Sequence, residues 1–159
     1  MSRSVLAVCL LALLMGVVAG LRTMTAAAAV SWAASLGWLD LRGTWLAFLG
    51  YAWTPWIISV LALGELVADQ LPSTPSRTAP LGFGARIVSG ALAGAAIGAP
   101  SKAIVAGALA GIVGAIVGTL GGHAGRARLA AAFRSDRPAA FIEDAVAIGG
   151  ALLIVIALR

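Results

Sequence analysis

Residues 81–122 of the chain are LGFGARIVSGALAGAAIGAPSKAIVAGALAGIVGAIVGTLGG. They form two apolar runs, 81–99 and 103–120, divided by a short turn at Pro100-Ser101-Lys102. Each run is close to the roughly 20 residues with which a helix crosses a lipid bilayer. Glycine recurs at intervals of four within three groups, which are Gly90, Gly94 and Gly98, then Gly107 and Gly111, then Gly114 and Gly118. Because such stripes let helices pack closely in lipid, we predict tightly packed transmembrane helices, either within one chain or between copies.

The composition of the whole chain is that of a protein surrounded by lipid. Of the 159 residues, 61% are hydrophobic and only 11% are charged. A soluble domain is roughly half apolar and about a quarter charged. Only a chain whose outer surface meets lipid can do without polar cover. We therefore predict one integral membrane domain over residues 1–159, with membrane lipid as its partner.

The net charge of +5 fits the bias of membrane proteins toward positive cytoplasmic loops and contact with anionic lipids. A nucleic-acid partner would require clustered basic residues beside exposed aromatic side chains, and we expect none. Cys9 is the only cysteine. The sequence contains no nucleophile elbow, zinc-protease motif or phosphate loop. We expect no enzyme activity, no metal and no cofactor.

Further apolar runs predict an all-α, polytopic transmembrane helix bundle of about five spans, within a range of four to six. Arg3 followed by Val5–Val18 resembles a signal peptide, but we interpret it as an uncleaved first span. Two more spans are expected from Trp56 to about Val67 and from Ala139 to Leu158. The run from Ala26 to Leu36 is too short for a comfortable crossing.

We expect residues 26–52 to lie at the far membrane face, where tryptophan and tyrosine are typical of the headgroup level. Four of the five tryptophans and the only tyrosine lie in one stretch of 19 residues, namely Trp38, Trp45, Tyr51, Trp53 and Trp56. Five crossings with the N-terminus inside put Arg77 and the arginine-rich segment 126–137 inside, as the positive-inside rule prefers. Six crossings stay open if Arg22–Thr25 is a broken or re-entrant element.

Acidic side chains within these apolar runs mark a candidate site. Glu65 and Asp69 are four residues apart, which places both on one helix face. Glu143 and Asp144 lie near the start of the last run. With opposite charges expected nearby, the candidate ion- or substrate-binding residues are Glu65, Asp69, Glu143, Asp144, Arg22, Arg77 and Arg86.

Three interpretations of these charges stay open. They form a structural network of ion pairs, they form a site for a cation or proton, or the arginines bind an anionic headgroup. For Arg22 itself, an arginine that extends to the headgroups is a simpler interpretation than a re-entrant turn. His123 is expected in a loop at residues 121–125.

The two halves of the chain share a weak pattern with two open interpretations, an inverted repeat or a chance similarity between alanine- and glycine-rich segments. Each half has an apolar run, a glycine-broken turn with arginine, an alanine-rich segment and an acid-bearing helix. The turns are 20–22 and 121–128, and the acidic helices carry Glu65–Asp69 and Glu143–Asp144. Repeats of this kind occur in transporters.

Four segments resemble the bacterial membrane-protein family of domain of unknown function 4126. They are Gly20–Thr25, Leu63–Thr78 with its Glu-Leu-Val-Ala-Asp and Thr-Pro-Ser-Arg-Thr motifs, Ala85–Leu92, and Glu143–Gly150. The resemblance covers nearly the whole chain. It implies a polytopic protein of the bacterial inner membrane and brings no established activity.

These observations lead to two hypotheses about function. The first is a transporter or channel-like protein for a cation or small solute that uses the intramembrane carboxylates. A single chain of this size has too few helices to enclose a transport pathway, so we expect a homo-oligomer. The second is a non-transporting scaffold or anionic-lipid-binding protein whose charges form a structural network.

Overall fold

The structure, a computed structural model, describes residues 4–69 and 79–159. These residues form helices joined by short loops and no strand, which confirms the all-α prediction for the described part of the chain. The α-helices are α1 (Val5–Leu21), α2 (Thr23–Ser35), α3 (Thr54–Ala68), α4 (Pro80–Gly98), α5 (Ile104–Phe133) and α6 (Asp136–Leu158). Short 3-10 helices occupy Trp45–Gly50 and Ala99–Ser101.

The described part of the chain contains three helices that are long and apolar enough to cross a membrane. They are α4 with the turn that follows it, α5 and α6, of 22, 30 and 23 residues. The apolar helices α1 and α3 are shorter, with 17 and 15 residues. The fold is therefore consistent with an integral membrane helix bundle.

Glycine brings α1, α4 and α5 into backbone contact. A Cβ added to Gly90 on α4 would lie 2.6 Å from the Gly111 carbonyl oxygen on α5. Gly114 on α5 faces the backbone of α1 in the same way, and a Cβ added there would lie 2.9 Å from the amide nitrogen of Val17. All seven glycines of the predicted stripes meet backbone atoms of this same chain. In this fold the stripes thus serve contacts within the chain.

Helix α1 contributes two glycines of its own to these contacts, Gly16 and Gly20. A Cβ at Gly20 would lie 2.6 Å from the Thr119 amide nitrogen. The spacing of four between the two glycines is the same motif that marks α4 and α5. The sequence therefore contained the pattern that places α1 in the glycine-packed core.

Helix α2 runs back along α1, so residues 26–52 do not lie at the face opposite the N-terminus, and that expectation is wrong. Trp38 and Leu39, just after α2, line one cavity of about 300 Å³ with Val8 near the start of α1 and Leu158 at the end of α6. The Arg159 guanidinium lies 5.5 Å from the centre of the Trp38 ring. Both ends of the described chain therefore lie at one end of the bundle, which we call the terminal end.

Helix α5 is continuous through residues 121–133, where a glycine-rich loop was expected at 121–125. His123 is exposed on this helix and does not lie in a loop. The helix ends only at Arg134, whose φ of 51° is left-handed. Glycine lowers helix propensity by about 1 kcal/mol relative to alanine but does not stop a helix when no proline or cap follows. The predicted repeat of a broken turn at 121–128 is therefore wrong.

The loop after α2 presents a polar surface at the terminal end. The Arg42 side chain donates two hydrogen bonds of 2.9 Å to the exposed carboxylate of Asp40. These bonds, with one from the Arg42 backbone N–H, lower the pKa of Asp40 to about 2. Exposed Trp45, Tyr51 and Trp53 follow in the same segment, a combination typical of a membrane–water interface.

Candidate functional site

The candidate site is built around the interruption between α1 and α2. Arg22 separates the two helices with an extended backbone, at φ −141° and ψ 108°. Its side chain is completely buried. The guanidinium forms one ion pair with Asp69, at the end of α3, and another with Asp144 on α6, to which Nε donates a 2.6 Å hydrogen bond. One buried cation thus links two aspartates from different helices.

The interruption also leaves backbone groups without their helical partners, and side chains from other helices satisfy them. At the start of α2, the N–H groups of Thr23 and Met24 donate to the Glu65 carboxylate at 2.8 and 2.7 Å. A carboxylate is favoured there because the N-terminus of a helix carries partial positive charge. Glu65 therefore fixes α3 to the start of α2.

Arg86 has the complementary role at the end of α1. Its Nη1 donates to the carbonyl oxygens of Gly20 and Leu21 at 2.7 and 2.9 Å. These are carbonyls of the last turn of α1, where a cation is favoured by the helix dipole. Arg86 is 6% exposed, so the last turn of α1 and its cap are both enclosed by protein.

Two hydroxyl groups complete the contacts of the interruption. Ser89 on α4 donates a 2.6 Å hydrogen bond to the Thr23 carbonyl oxygen. Thr119 on α5 donates to Ala115 at 2.8 Å and lies 3.3 Å from the Gly20 carbonyl oxygen. Helices α3, α4, α5 and α6 therefore all contact this one point of the chain.

Arg126 connects this network to the junction between the end of α5 and the start of α6. It donates to Asp136 at 2.8 and 2.5 Å and to the Asp69 carbonyl oxygen at 3.3 Å. Its Nη1 lies 3.7 Å from the buried carboxylate of Glu143. Arg126 and Glu143 also form part of the wall of a cavity of about 190 Å³ that is otherwise mostly apolar. An apolar space thus adjoins the charged network.

Of the seven predicted site residues, six belong to this network, and Arg77 lies outside the described residues. Glu65, Asp69, Asp144, Arg22 and Arg86 meet at the interruption, and Glu143 joins through Arg126. Arg22 does not extend toward a headgroup region, because it is enclosed by protein. Its guanidinium pairs with Asp69 at the end of α3 and with Asp144 on α6.

Sequence reasoning missed Arg126, Ser89 and Thr119 as members of the site. The glycines before Arg126 suggest the end of a helix, so the sequence alone places this arginine in a loop. Ser89 and Thr119 are each next to a glycine of the packing stripes. A hydroxyl side chain beside a helix-packing glycine is close enough to the neighbouring helix to hydrogen-bond across to it, and that was the available indication.

The described part of this network leaves no open space for a metal ion between its two aspartates. Among residues 4–69 and 79–159, no group of three or more His, Cys, Asp or Glu side chains could hold a metal ion. The space between Asp69 and Asp144 is taken by the guanidinium of Arg22. A proton needs no such space, because it binds to a single carboxylate oxygen.

No protein-family model matches the chain, and the searches of curated proteins and of solved structures found no match either.

Proposed function

We propose that the protein is a small membrane transporter or channel-like protein for a proton or another small cation, with Asp69, Arg22 and Asp144 at its centre. The observation that carries the proposal is the fully buried guanidinium of Arg22 shared by two aspartates at a helix interruption. Ionisable groups inside a membrane are costly and occur mainly where they serve ion or proton pathways.

The shared arginine supplies a means of coupling proton binding to movement. A proton bound to either aspartate removes one of the two charges that hold Arg22. The guanidinium then interacts mainly with the remaining aspartate, on α3 or on α6. Because the two aspartates lie on different helices, the choice between them changes how α3 and α6 are held against the interruption.

The interruption between α1 and α2 gives the proposal independent support. Non-helical backbone at membrane depth is tolerated only where it is buried in protein or lines a cavity. In several transporter folds, the ends of broken helices form the site for substrate and coupling ion. Here the ends of α1 and α2 are capped by Arg86 and Glu65, which places charged side chains at both helix ends.

One observation favours the second hypothesis, a scaffold without transport. Each of the four acidic residues of the site has a donor, either an arginine or a backbone N–H group. A closed network of this kind also serves to fix helices in place, and buried ion pairs are frequent in proteins without any transport role.

Flux measurements in proteoliposomes distinguish the two functions. The purified protein is reconstituted with a trapped pH indicator, and proton entry is followed under an imposed membrane potential and under an outward sodium or potassium gradient. Asp69→Asn and Asp144→Asn are compared with Asp40→Asn, a matched control in the exposed loop of the terminal end. Circular dichroism and size exclusion in detergent establish that each variant is folded.

If the protein transports protons, the wild type and Asp40→Asn should show a proton flux above that of empty liposomes. Folded Asp69→Asn and Asp144→Asn should lose this flux. Flux at the level of empty liposomes in the wild type, under both driving forces, would refute transport and favour the scaffold. Full flux in the two site variants would remove Asp69 and Asp144 from the pathway.

We also propose that the protein resides in a bacterial cytoplasmic membrane, in line with the resemblance to the family of domain of unknown function 4126. The number of crossings and a homo-oligomeric state stay predictions. Four arginines lie near the junction of α5 and α6, namely Arg126, Arg128, Arg134 and Arg137. The positive-inside rule favours that end in the cytoplasm. Together with the shared location of both chain ends, this would place the N-terminus outside, the reverse of the five-span expectation.

A further inference from the structure

Helix α5 is longer than a membrane is thick. Its 30 residues span about 45 Å at 1.5 Å per residue, whereas the hydrocarbon core is about 30 Å. The helix begins directly after a turn with exposed Lys102, which suits an interface. A core starting at Ile104 would then end about 20 residues later, near His123. The last turns of α5 and the start of α6 would therefore emerge among the lipid headgroups.

The emerging segment carries three exposed arginines, Arg128, Arg134 and Arg137. None of the three forms an ion pair with the residues that the structure describes. They differ in this respect from Arg126, which Asp136 neutralises. Three positive charges at this level complement anionic phosphate groups, which lie at the same depth in a bilayer.

Two aromatic side chains accompany these arginines. Phe133 is 51% exposed and Phe141 is 64% exposed. Neither has a polar group that would favour full exposure to water, and each has an apolar ring that the acyl-chain boundary accommodates. An arginine and a phenylalanine side by side match a phospholipid, which presents phosphate and hydrocarbon next to each other.

We infer that the junction of α5 and α6 is a binding surface for anionic phospholipid headgroups, formed by Arg128, Arg134 and Arg137. It is separate from the Asp69–Arg22–Asp144 site and does not depend on transport. The arginines supply the charge attraction, and the exposed phenylalanines lie against the upper part of the acyl chains. The surface selects lipids by charge and does not bind one particular headgroup structure.

Lipid binding to the detergent-solubilised full chain tests this inference. Native mass spectrometry counts the molecules of phosphatidylglycerol and of phosphatidylcholine bound from equal mixtures. Each arginine near an anionic surface is expected to contribute about fivefold in affinity at low ionic strength. We therefore expect a clear preference for phosphatidylglycerol in the wild type and a ratio near one in Arg128→Gln/Arg134→Gln/Arg137→Gln. Lys102→Gln removes the same charge as a single variant but at the opposite end of α5, and should keep the preference.

Three outcomes would overturn the inference. They are a wild type that binds both lipids equally, a folded triple variant that keeps its preference, and a Lys102→Gln protein that loses as much preference as Arg128→Gln. If the triple variant does not fold, the lipid preference of the wild type is compared with that of the three single variants, each of which should have a lower preference for phosphatidylglycerol. High salt shortens the screening length from about 10 Å at 0.1 M to about 3 Å at 1 M, so a preference of this origin must shrink in the wild type.

Discussion

Replacing Gly114 by alanine should separate helices that the structure holds in backbone contact. The added Cβ would lie 2.9 Å from the Val17 amide nitrogen and closer still to the Leu13 carbonyl oxygen, both on α1. Heavy atoms in good contact are about 3.5–4.0 Å apart, so α1 would have to withdraw by at least about 0.6 Å. These are main-chain atoms of a helix, and they cannot rotate away as a side chain can.

The size of the effect follows from two opposing contributions. Overpacking a core costs about 1–3 kcal/mol, and a clash with backbone belongs at the upper end of that range. Alanine in place of glycine returns about 1 kcal/mol of helix propensity. We expect Gly114→Ala to lower the free energy of unfolding by about 2 kcal/mol. Gly121→Ala, on the same helix with nothing within 4 Å of the new Cβ, should raise it by up to about 1 kcal/mol.

The pair can be measured by titrating sodium dodecyl sulfate into mixed micelles and following helix content by circular dichroism. The separation between the two variants, about 3 kcal/mol, exceeds the usual uncertainty of such extrapolations. Equal stability of Gly114→Ala and Gly121→Ala would refute the close packing of α1 on α5. A loss of stability in both variants would show that glycine serves some other purpose along α5.

Two other predictions concern the buried arginine and the arrangement of the chain ends. Arg22→Ala leaves two aspartates without their shared cation and should cost about 3–5 kcal/mol in the same unfolding assay, whereas a loss under about 1 kcal/mol would mean that the pairs form in water. In a cysteine-free background, Ser4→Cys and Arg159→Cys should react with an impermeant maleimide from one side of the membrane and Ser135→Cys from the other. Labelling of Ser4→Cys and Arg159→Cys from opposite sides would restore an odd number of crossings.

Much of the helical framework could be predicted from local pattern. The apolar runs at 81–99 and 139–158 correspond closely to α4 and α6, because the length of an apolar run and the cost of exposing backbone to lipid are properties of the segment alone. The carboxylates stood out for a similar reason, since an acid in an apolar run needs a partner wherever it lies. The glycine stripes likewise indicated close packing without naming the partner helix.

The direction of α2 and the partners of each charge depended on contacts distant in sequence. Arg22 meets residues 47 and 122 positions away, and no periodicity within α1 or α2 contains that information. From the sequence alone, Arg22 has the features of an arginine at the membrane interface. Only the structure shows that Asp69 and Asp144 pair with it in the protein interior. The glycines at 121–125 resemble a loop because glycine lowers helix propensity, but that cost is small and neither a proline nor a cap ends α5 before Arg134.

The sequence by itself determined that the chain forms an apolar helix bundle in which a few acidic residues and arginines need partners of opposite charge. The reason is that the free energy of transfer from water to lipid acts on each residue separately. Only the tertiary structure decided that α2 turns back along α1, that the glycines join α1, α4 and α5 within one chain, and that two aspartates share Arg22. Those outcomes depend on which helix faces lie against each other, and many arrangements satisfy the same hydrophobic pattern. The choice among them is made by close backbone contact at glycine and by the pairing of buried charge.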